Sequence, residues 1–194
     1  KNDKTWQSFK PVNIASAGQV TDIIVDDSGQ KWMLSIGSSS DGIVVFSEGQ
    51  DFDNATDDVG KVLRKGQGLG NLPSNNVLAI AKDVEGEIWV GTDAGIAVFY
   101  CPGSVLTENG CDAQEILVTA VDGFVGALLG AERVQAIAVD GANRKWVGTT
   151  NGLWLFSPDG TQQIQYFSDE NSPLISNNVT TIAIDPVDGL VYIG

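Results

Sequence analysis

The sequence predicts an all-β fold built from repeated hairpins, and two observations support this prediction. Short apolar runs alternate with turns rich in Asp and Gly, which is typical of antiparallel strands. The stretch 77–99, VLAIAKDVEGEIWVGTDAGIAVF, contains three such runs, and the same unit returns at 20–46, at 134–156 and, shortened, at 179–194. A repeat of this length made of hairpins indicates a radial array of small sheets, a β-propeller.

The elements follow the repeat along the chain. Residues 1–19 precede the first unit and contain the alternating run TWQSF, which predicts the outer strand of a preceding blade. Each unit then supplies three strands, and a later run supplies the outer strand, expected at 59–65, 115–119 and 163–167. The predicted divisions are blade 1 at 20–76, blade 2 at 77–133, blade 3 at 134–178 and half of blade 4 at 179–194.

The count predicts a partial propeller of about four blades, each a four-stranded antiparallel sheet. Propellers close with roughly 4–8 blades. The first strand could complete a four-bladed ring, but the last blade would lack its third strand, so we expect 1–194 to be one portion of a larger ring. Each inner strand should be buried on both faces, because neighbouring blades cover it.

Two residue types recur at fixed distances from the valine that opens each unit. The fourth unit has Tyr192 where the others have tryptophan. The recurring residues are the aspartates Asp26, Asp83, Asp140 and Asp185 and the tryptophans Trp32, Trp89 and Trp146. The aspartates could form a ring of carboxylates, or each could cap the turn that follows its inner strand. The tryptophans suit the space between blades.

Charge and composition exclude some partners. The formal net charge is −14, which argues against nucleic acid, because nucleic-acid binding depends on Lys and Arg that meet phosphates. It equally argues against an anionic membrane surface. No apolar run approaches the roughly 20 residues that cross a bilayer, so direct membrane insertion is not expected. No leader is visible, so an exported protein would already have lost it.

The two cysteines, Cys101 and Cys111, lie in one loop after the third strand of blade 2. They predict either a disulfide, which suits an oxidising compartment, or two free thiols. The sequence contains no histidine. A Cys/His zinc site and a His-activated nucleophile are therefore not expected.

Calcium is the one cofactor that the sequence raises, and no other is expected. The loop at 48–58 places oxygen-bearing side chains at alternating positions, as calcium ligands require. A solvated acidic loop is the alternative. The candidate ligands are Asp51, Asp53 and Asp57, with Asn54 and Asp58 beside them.

A ligand face is predicted where the turns between second and third strands meet the connectors between blades. The same residue types also occur in ordinary turns. The candidate ligand-binding residues are Ser38, Ser39, Ser40, Asp41, Asn75, Asp93, Asn151 and Asn177.

The pattern V-x-x-I-A-x-D-x-x-G-x-x-W-V-G-T-x-x-G-[IL]-x-x-F, best matched at 77–99 and 134–156, resembles the two-component regulator propeller repeat. Members of that family occur in periplasmic sensors and in surface proteins of the type IX secretion system of Bacteroidetes. The stretch 136–160, together with NSPLISNNV at 171–179, is similar to the PorZ-like propeller proteins of the secretion system. Blade 1 departs from the pattern, because no Gly-Thr follows Trp32.

The resemblance implies an exported protein at the cell surface or in the periplasm that is not an enzyme. The first expectation is a binding or scaffold module of a type IX secretion-type system that binds a partner protein or a surface glycan. The second is the ligand-sensing propeller of a hybrid histidine kinase. A propeller lyase or hydrolase is the third.

Overall fold

The protein's structure, a computed structural model, describes residues 19–36, 42–49, 56–119 and 123–194. These ranges contain sixteen strands and one 3₁₀ turn, Pro102–Ser104. All strand pairs are antiparallel, and in each four-stranded sheet the strands follow chain order. The predicted all-β, partial propeller fold is confirmed.

Blade 1 is a four-stranded sheet that contains the first unit and its outer strand. Its strands are β1 (Gln19–Val25), β2 (Lys31–Ile36), β3 (Gly42–Ser47) and β4 (Val59–Leu63). Blade 3 repeats this arrangement at the other side of blade 2. Its strands are β11 (Val134–Val139), β12 (Lys145–Thr149), β13 (Gly152–Phe156) and β14 (Gln163–Phe167). The last unit forms a two-stranded sheet of β15 (Ile182–Ile184) and β16 (Val191–Ile193).

Blade 2 differs from its neighbours at its outer edge. Its first three strands are β5 (Val77–Lys82), β6 (Ile88–Thr92) and β7 (Gly95–Phe99). The outer strand predicted at 115–119 is wrong, because only β8 (Gln114–Glu115) pairs with β7. The chain then leaves the blade as a separate two-stranded sheet of β9 (Leu117–Thr119) and β10 (Val125–Ala127), the excursion hairpin.

The outer edge of blade 2 resumes after this hairpin. The N–H of Leu128 donates to the carbonyl of Ile116 at 2.7 Å, so the excursion closes on itself. The N–H of Gly95 then donates to the carbonyl of Glu132 at 3.1 Å beside the start of β7. The excursion hairpin is therefore an insertion that divides the fourth strand of blade 2 into two parts.

The inner strands lie side by side in the order β1, β5, β11 and β15, as a radial array requires. Burial follows from this order. β5 and β11 each have a neighbouring inner strand on both sides; half of β5 is buried, and every residue of β11 is buried or half-buried. β1 and β15 have a described neighbour on one side only, and β1 is mostly exposed. The prediction that every inner strand is buried on both faces is thus wrong for β1 and β15.

The Gly-Thr step of the repeat sets how closely the blades approach. A Cβ added at Gly91 would lie 2.6 Å from Val134 Cγ1, and one at Gly148 would lie 2.6 Å from Val179 Cγ1. The valine that opens the following blade thus packs directly against the glycine, where a side chain would not fit. The threonine that follows is fully buried in both blades and caps the tight turn: Thr92 Oγ1 donates to the carbonyl of Gly95 at 3.0 Å.

Candidate binding site

The recurring aspartates build the turns between first and second strands. In blade 2, Asp83 Oδ1 accepts hydrogen bonds from the N–H groups of Glu85 and Glu87 at 3.0 and 2.9 Å. Its Oδ2 accepts the indole N–H of Trp89 at 3.2 Å. Asp26 and Asp140 bind their own turns and tryptophans in the same way. This geometry favours the turn-capping interpretation, because each carboxylate is already satisfied within its own blade.

One of these turns also carries a buried cation. Lys145 of blade 3 is fully buried, and its Nζ lies 2.9 Å from Asp83 Oδ2 and 4.6 Å from the centroid of the Trp89 ring. The ammonium also donates to the carbonyls of Asn143 and Pro158 at 2.8 and 2.7 Å. Burial raises the pKa of Asp83, but hydrogen bonds from Lys145 and the backbone outweigh it, so the pKa lies below its ordinary value. This ion pair joins blades 2 and 3.

The connector face comprises the β6–β7 and β12–β13 turns with the connectors at 64–76 and 168–178. Asn75 and Asn177 have equivalent places there. Their Oδ1 atoms accept the N–H of Lys65 and of Asp169, each at 2.8 Å or less, just after an outer strand. Both side chains thus close their own connector, as ordinary turn residues do.

Asp93 and Asn151 occupy the tight turns of the connector face. Asn76 Nδ2 donates to Asp93 Oδ2 at 2.9 Å, and hydrogen bonds from Ser74 and Asn76 hold the pKa of Asp93 below its ordinary value. Asn151 Nδ2 donates to Glu132 Oε2 at 2.8 Å. The structure places the four predicted residues on one face but gives each a local partner.

The remaining predicted residues are only partly covered by the structure. Asp57 is half-buried, and the residues it would accompany in a calcium site, Asp51 and Asp53, lie outside the described residues. The predicted ligand-binding residues Ser38, Ser39, Ser40 and Asp41 lie outside them too. In the described ranges, no three acidic, Cys or His side chains gather as a metal site would require. Calcium at 48–58 stays a prediction.

Cys101 and Cys111 form a disulfide, with Cα atoms 5.9 Å apart. The loop they close lies across the seam between blades 1 and 2. Val105 at its centre is fully buried in the core that the two blades share. Just after the loop, Asp112 accepts the N–H of Gly70 at 2.9 Å, which ties the loop to the connector at 64–76. The disulfide therefore stabilises a loop that covers the contact between blades 1 and 2.

A second candidate surface, the flank groove, lies between the excursion hairpin and blade 3. Its volume is about 880 Å³, within the range of ligand pockets. The hairpin forms one wall, and Trp154, Phe156, Thr161 and Gln163 of blade 3 form the other. The rim is apolar and open: Phe124 is 72% exposed and continues into the groove lining.

Trp154, which lines this groove, carries a hydrogen-bond donor without a partner in the described residues. Its Nε1 is buried without a hydrogen-bond partner in the described structure, while its ring packs on Tyr166 at a centroid distance of 4.4 Å. A buried donor without an acceptor costs about 1–3 kcal/mol. An acceptor brought by a ligand would remove that cost, which makes the groove a candidate binding site.

Sequence reasoning missed the flank groove, although two departures from the repeat signal it. Trp154 stands where blades 1 and 2 carry the smaller Val44 and Ala97. The segment before blade 3 also lacks the Ser-Asn-Asn-Val ending of the connectors at 64–76 and 168–178.

Comparisons with known proteins place these features in a family. Residues 71–94 match the model of the family described as two component regulator propeller. PorZ, an essential surface component of the type IX secretion system of Porphyromonas gingivalis, is 31% identical over 97% of this chain and 26% of that one, with a TM-score of 0.79. No curated protein matches the chain.

Two further structures show how widely the fold is used. The extracellular domain of BT3049 from B. thetaiotaomicron, described as a hybrid two component system, is 25% identical over 98% of this chain and 21% of that one, with a TM-score of 0.62. An ancestral GH74 enzyme is 18% identical over 97% of this chain and 23% of that one, with a TM-score of 0.56, a likeness that shows the fold alone.

The chain spans about a quarter of the length of each of these structures. The family match covers residues 71–94, and the repeat and four-stranded sheet of that unit return at 134–156. The chain is therefore a stretch of β-propeller that carries a two component regulator propeller repeat at 71–94 and is similar in sequence and fold to PorZ.

Proposed function

We propose that this chain belongs to an exported, non-catalytic scaffold module of a type IX secretion-type surface apparatus, and that it binds a partner protein. The likeness to PorZ carries the proposal, since it extends over 97% of the chain at 31% identity. The Cys101–Cys111 disulfide supports export, because disulfides persist in oxidising compartments. The described residues contain no helix long and apolar enough to cross a bilayer.

The flank groove favours a protein partner over a glycan. Phe124 lines the groove and is exposed, and Leu117 and Val125 are exposed on the other face of the excursion hairpin. These side chains suit the apolar side chains of a protein. The aromatic rings of Trp154 and Phe156 pack on each other within blade 3 at a centroid distance of 6.1 Å. Phe156 is 3% exposed, so its ring is not available for a sugar ring to stack on.

The proposal is tested on intact cells of the organism that makes the protein. A membrane-impermeant biotin reagent should label the full-length protein, and a membrane-impermeant cross-linker should join it to a component of the secretion apparatus. Labelling only after the outer membrane is permeabilised would overturn the surface location. Turnover of an oligosaccharide by the purified full-length protein would overturn the non-catalytic assignment.

A glycan ligand at the connector face is tested separately. The full-length protein and a variant that lacks residues 38–41 are applied to a glycan array. We expect no difference between the two proteins. Binding that is lost on deletion would move the proposal to a glycan module and would locate its face.

The second candidate function is a periplasmic sensor of a hybrid two component system. The observation that favours it is the likeness to the extracellular domain of BT3049 at 25% identity over 98% of the chain. The labelling experiment separates the two functions, because a sensor propeller in the periplasm stays unlabelled on intact cells. A membrane helix and a kinase domain in the same full-length protein would favour the sensor.

A further inference from the structure

We infer that the flank groove binds its partner as an extended strand that pairs with the free edge of β10. The inference rests on the proposed function and specifies the partner's chemistry: an apolar, β-branched segment flanked by Lys or Arg. Strand addition of this kind takes affinity from main-chain hydrogen bonds and specificity from alternate side chains.

The edge of β10 provides the main-chain groups. β10 pairs with β9 on one side, and in the described residues no strand lies on its other side. In an antiparallel pair, hydrogen-bonded and non-bonded residues alternate. Since Leu128 and Ile116 form a bonded pair, Val125 and Ala127 direct their N–H groups away from β9. At Ala127 the outward carbonyl already accepts the Gly130 N–H at 3.0 Å, so in the described residues the part of this edge open to a third strand is at Val125.

Both faces of the excursion hairpin provide side-chain contacts, one of them inside the groove. Register pairs Val118 with Gly126, so these residues share one face of the hairpin, and Val118 packs on the core of blades 2 and 3. Leu117 and Val125 lie on the opposite face and are 64% and 53% exposed. Exposed apolar residues beside an open edge are the arrangement that soluble proteins avoid unless a partner covers it.

Trp154 provides a donor for the incoming strand. Trp154 lines the same groove, and its buried Nε1 has no acceptor in the described structure. An extended peptide carries a carbonyl at every residue, so one can accept from the indole, without a special side chain, once binding turns Nε1 toward the groove. Trp154 would thereby contribute affinity that does not depend on the peptide's sequence.

The acidic residues near the groove predict which residues flank the partner's apolar segment. Glu132 lines the groove and Glu115 lies two residues before the hairpin, while Asp159 accepts a hydrogen bond from Thr161 at the blade 3 wall. The whole chain has a net charge of −14. Basic residues on either side of the apolar segment would therefore steer it to the groove.

The probe is a random twelve-residue peptide library displayed on phage and selected against this chain. We expect enrichment of peptides with alternating β-branched residues and flanking Lys or Arg. Val125→Pro removes the outward N–H without removing a hairpin bond and should weaken the selected peptides at least tenfold. Val125→Thr keeps the N–H and the β-branch, so it should stay within about threefold of the wild type.

A second variant keeps the test decisive if Val125→Pro disturbs the hairpin. Trp154→Phe keeps an aromatic ring but removes the donor, and it should weaken the peptides about fivefold, as expected for one hydrogen bond. The indole ¹H–¹⁵N resonance that disappears in this variant identifies Trp154. That resonance should shift when a selected peptide is titrated into the wild-type chain.

Three results would overturn the inference. The library yields no peptide; or the selected peptides bind Val125→Pro and Trp154→Phe as tightly as the wild type; or soluble oligosaccharides shift the Trp154 resonance and peptides do not. If cross-linking on intact cells still finds a partner in any of these cases, the proposed function stands and only the strand-addition mode fails.

Discussion

Replacing Asp83 by Asn should destabilise the chain far more than removing the lysine that it binds. Lys145 and Asp83 are both buried, at 0% and 1% side-chain exposure, with 2.9 Å between Nζ and Oδ2. Asp83→Asn leaves an ammonium buried between two blades without a countercharge. Breaking a buried pair in this way costs about 3–5 kcal/mol of unfolding free energy.

Lys145→Met should cost less, about 1–3 kcal/mol. Without the lysine, Asp83 still accepts two backbone N–H groups and the Trp89 indole. Blades 1 and 2 show the same arrangement without a lysine. Ile88 of blade 2 occupies the position that Lys145 has in blade 3, and it faces Asp26 of blade 1. Asp26 still accepts its two backbone N–H groups and its tryptophan indole. An apolar residue at this place is therefore compatible with the fold.

The assay is urea unfolding of the wild type, the two single variants and the double variant, followed by tryptophan fluorescence. We expect the double variant to lose about 2 kcal/mol less than the sum of the single losses, since neither charge is then left alone. Additive losses within about 0.5 kcal/mol would refute the reasoning, because they would show that the two groups do not depend on each other.

Acid titration tests the same pair. The pKa of Asp83 is lowered in the folded chain, so its stabilisation is complete above the unfolded pKa of about 3.9 and is lost as the pH falls through the folded value. Protonated Asp83 leaves Lys145 as unpaired as Asn does. The gap between wild type and Asp83→Asn should thus be constant from pH 5 to 7 and should narrow below about pH 4. A gap that stays constant into acid would contradict this assignment.

Two further predictions concern the seams between blades. Gly91→Ala should cost about 1–3 kcal/mol in urea unfolding, because the new Cβ would overlap Val134; Gly141→Ala, which meets nothing within 4 Å, is the matched control and should be nearly neutral. Replacing Cys101 and Cys111 together by Ser should cost about 3 kcal/mol through the freed loop, and adding reductant should lower the stability of the wild type but not of this variant. An equal response of both proteins to reductant would refute the role of the disulfide.

The repeated parts of the fold could be predicted from sequence because they depend on local chemistry. An aspartate that binds the turn two and four residues ahead, and a tryptophan six residues ahead, acts within one hairpin. A fixed spacing therefore reveals it. The fourth strand of blade 2 was not predictable in this way, because residues 115–119 have the same alternating pattern whether they pair with β7 or with β10.

The candidate sites divide along the same line. Asn75 and Asn177 were conspicuous because they repeat, and the structure gives both the same connector-closing hydrogen bond. Trp154 was not conspicuous, because a tryptophan in an apolar strand suggests core packing. Only the three-dimensional structure shows that its ring is packed while its Nε1 lacks an acceptor.

In a repeat protein, residues that obey the pattern mostly hold the blades together, so binding is better sought where the pattern breaks. Blade 2 breaks it by dividing its outer strand, and blade 3 breaks it by placing Trp154 where Ala97 stands one blade earlier. The two departures face each other across one groove. Val118 of the hairpin and Trp154 also pack on the core of blades 2 and 3, so both departures contribute to this seam as well as to the groove. The proposed strand partner would explain why both departures also border an open groove.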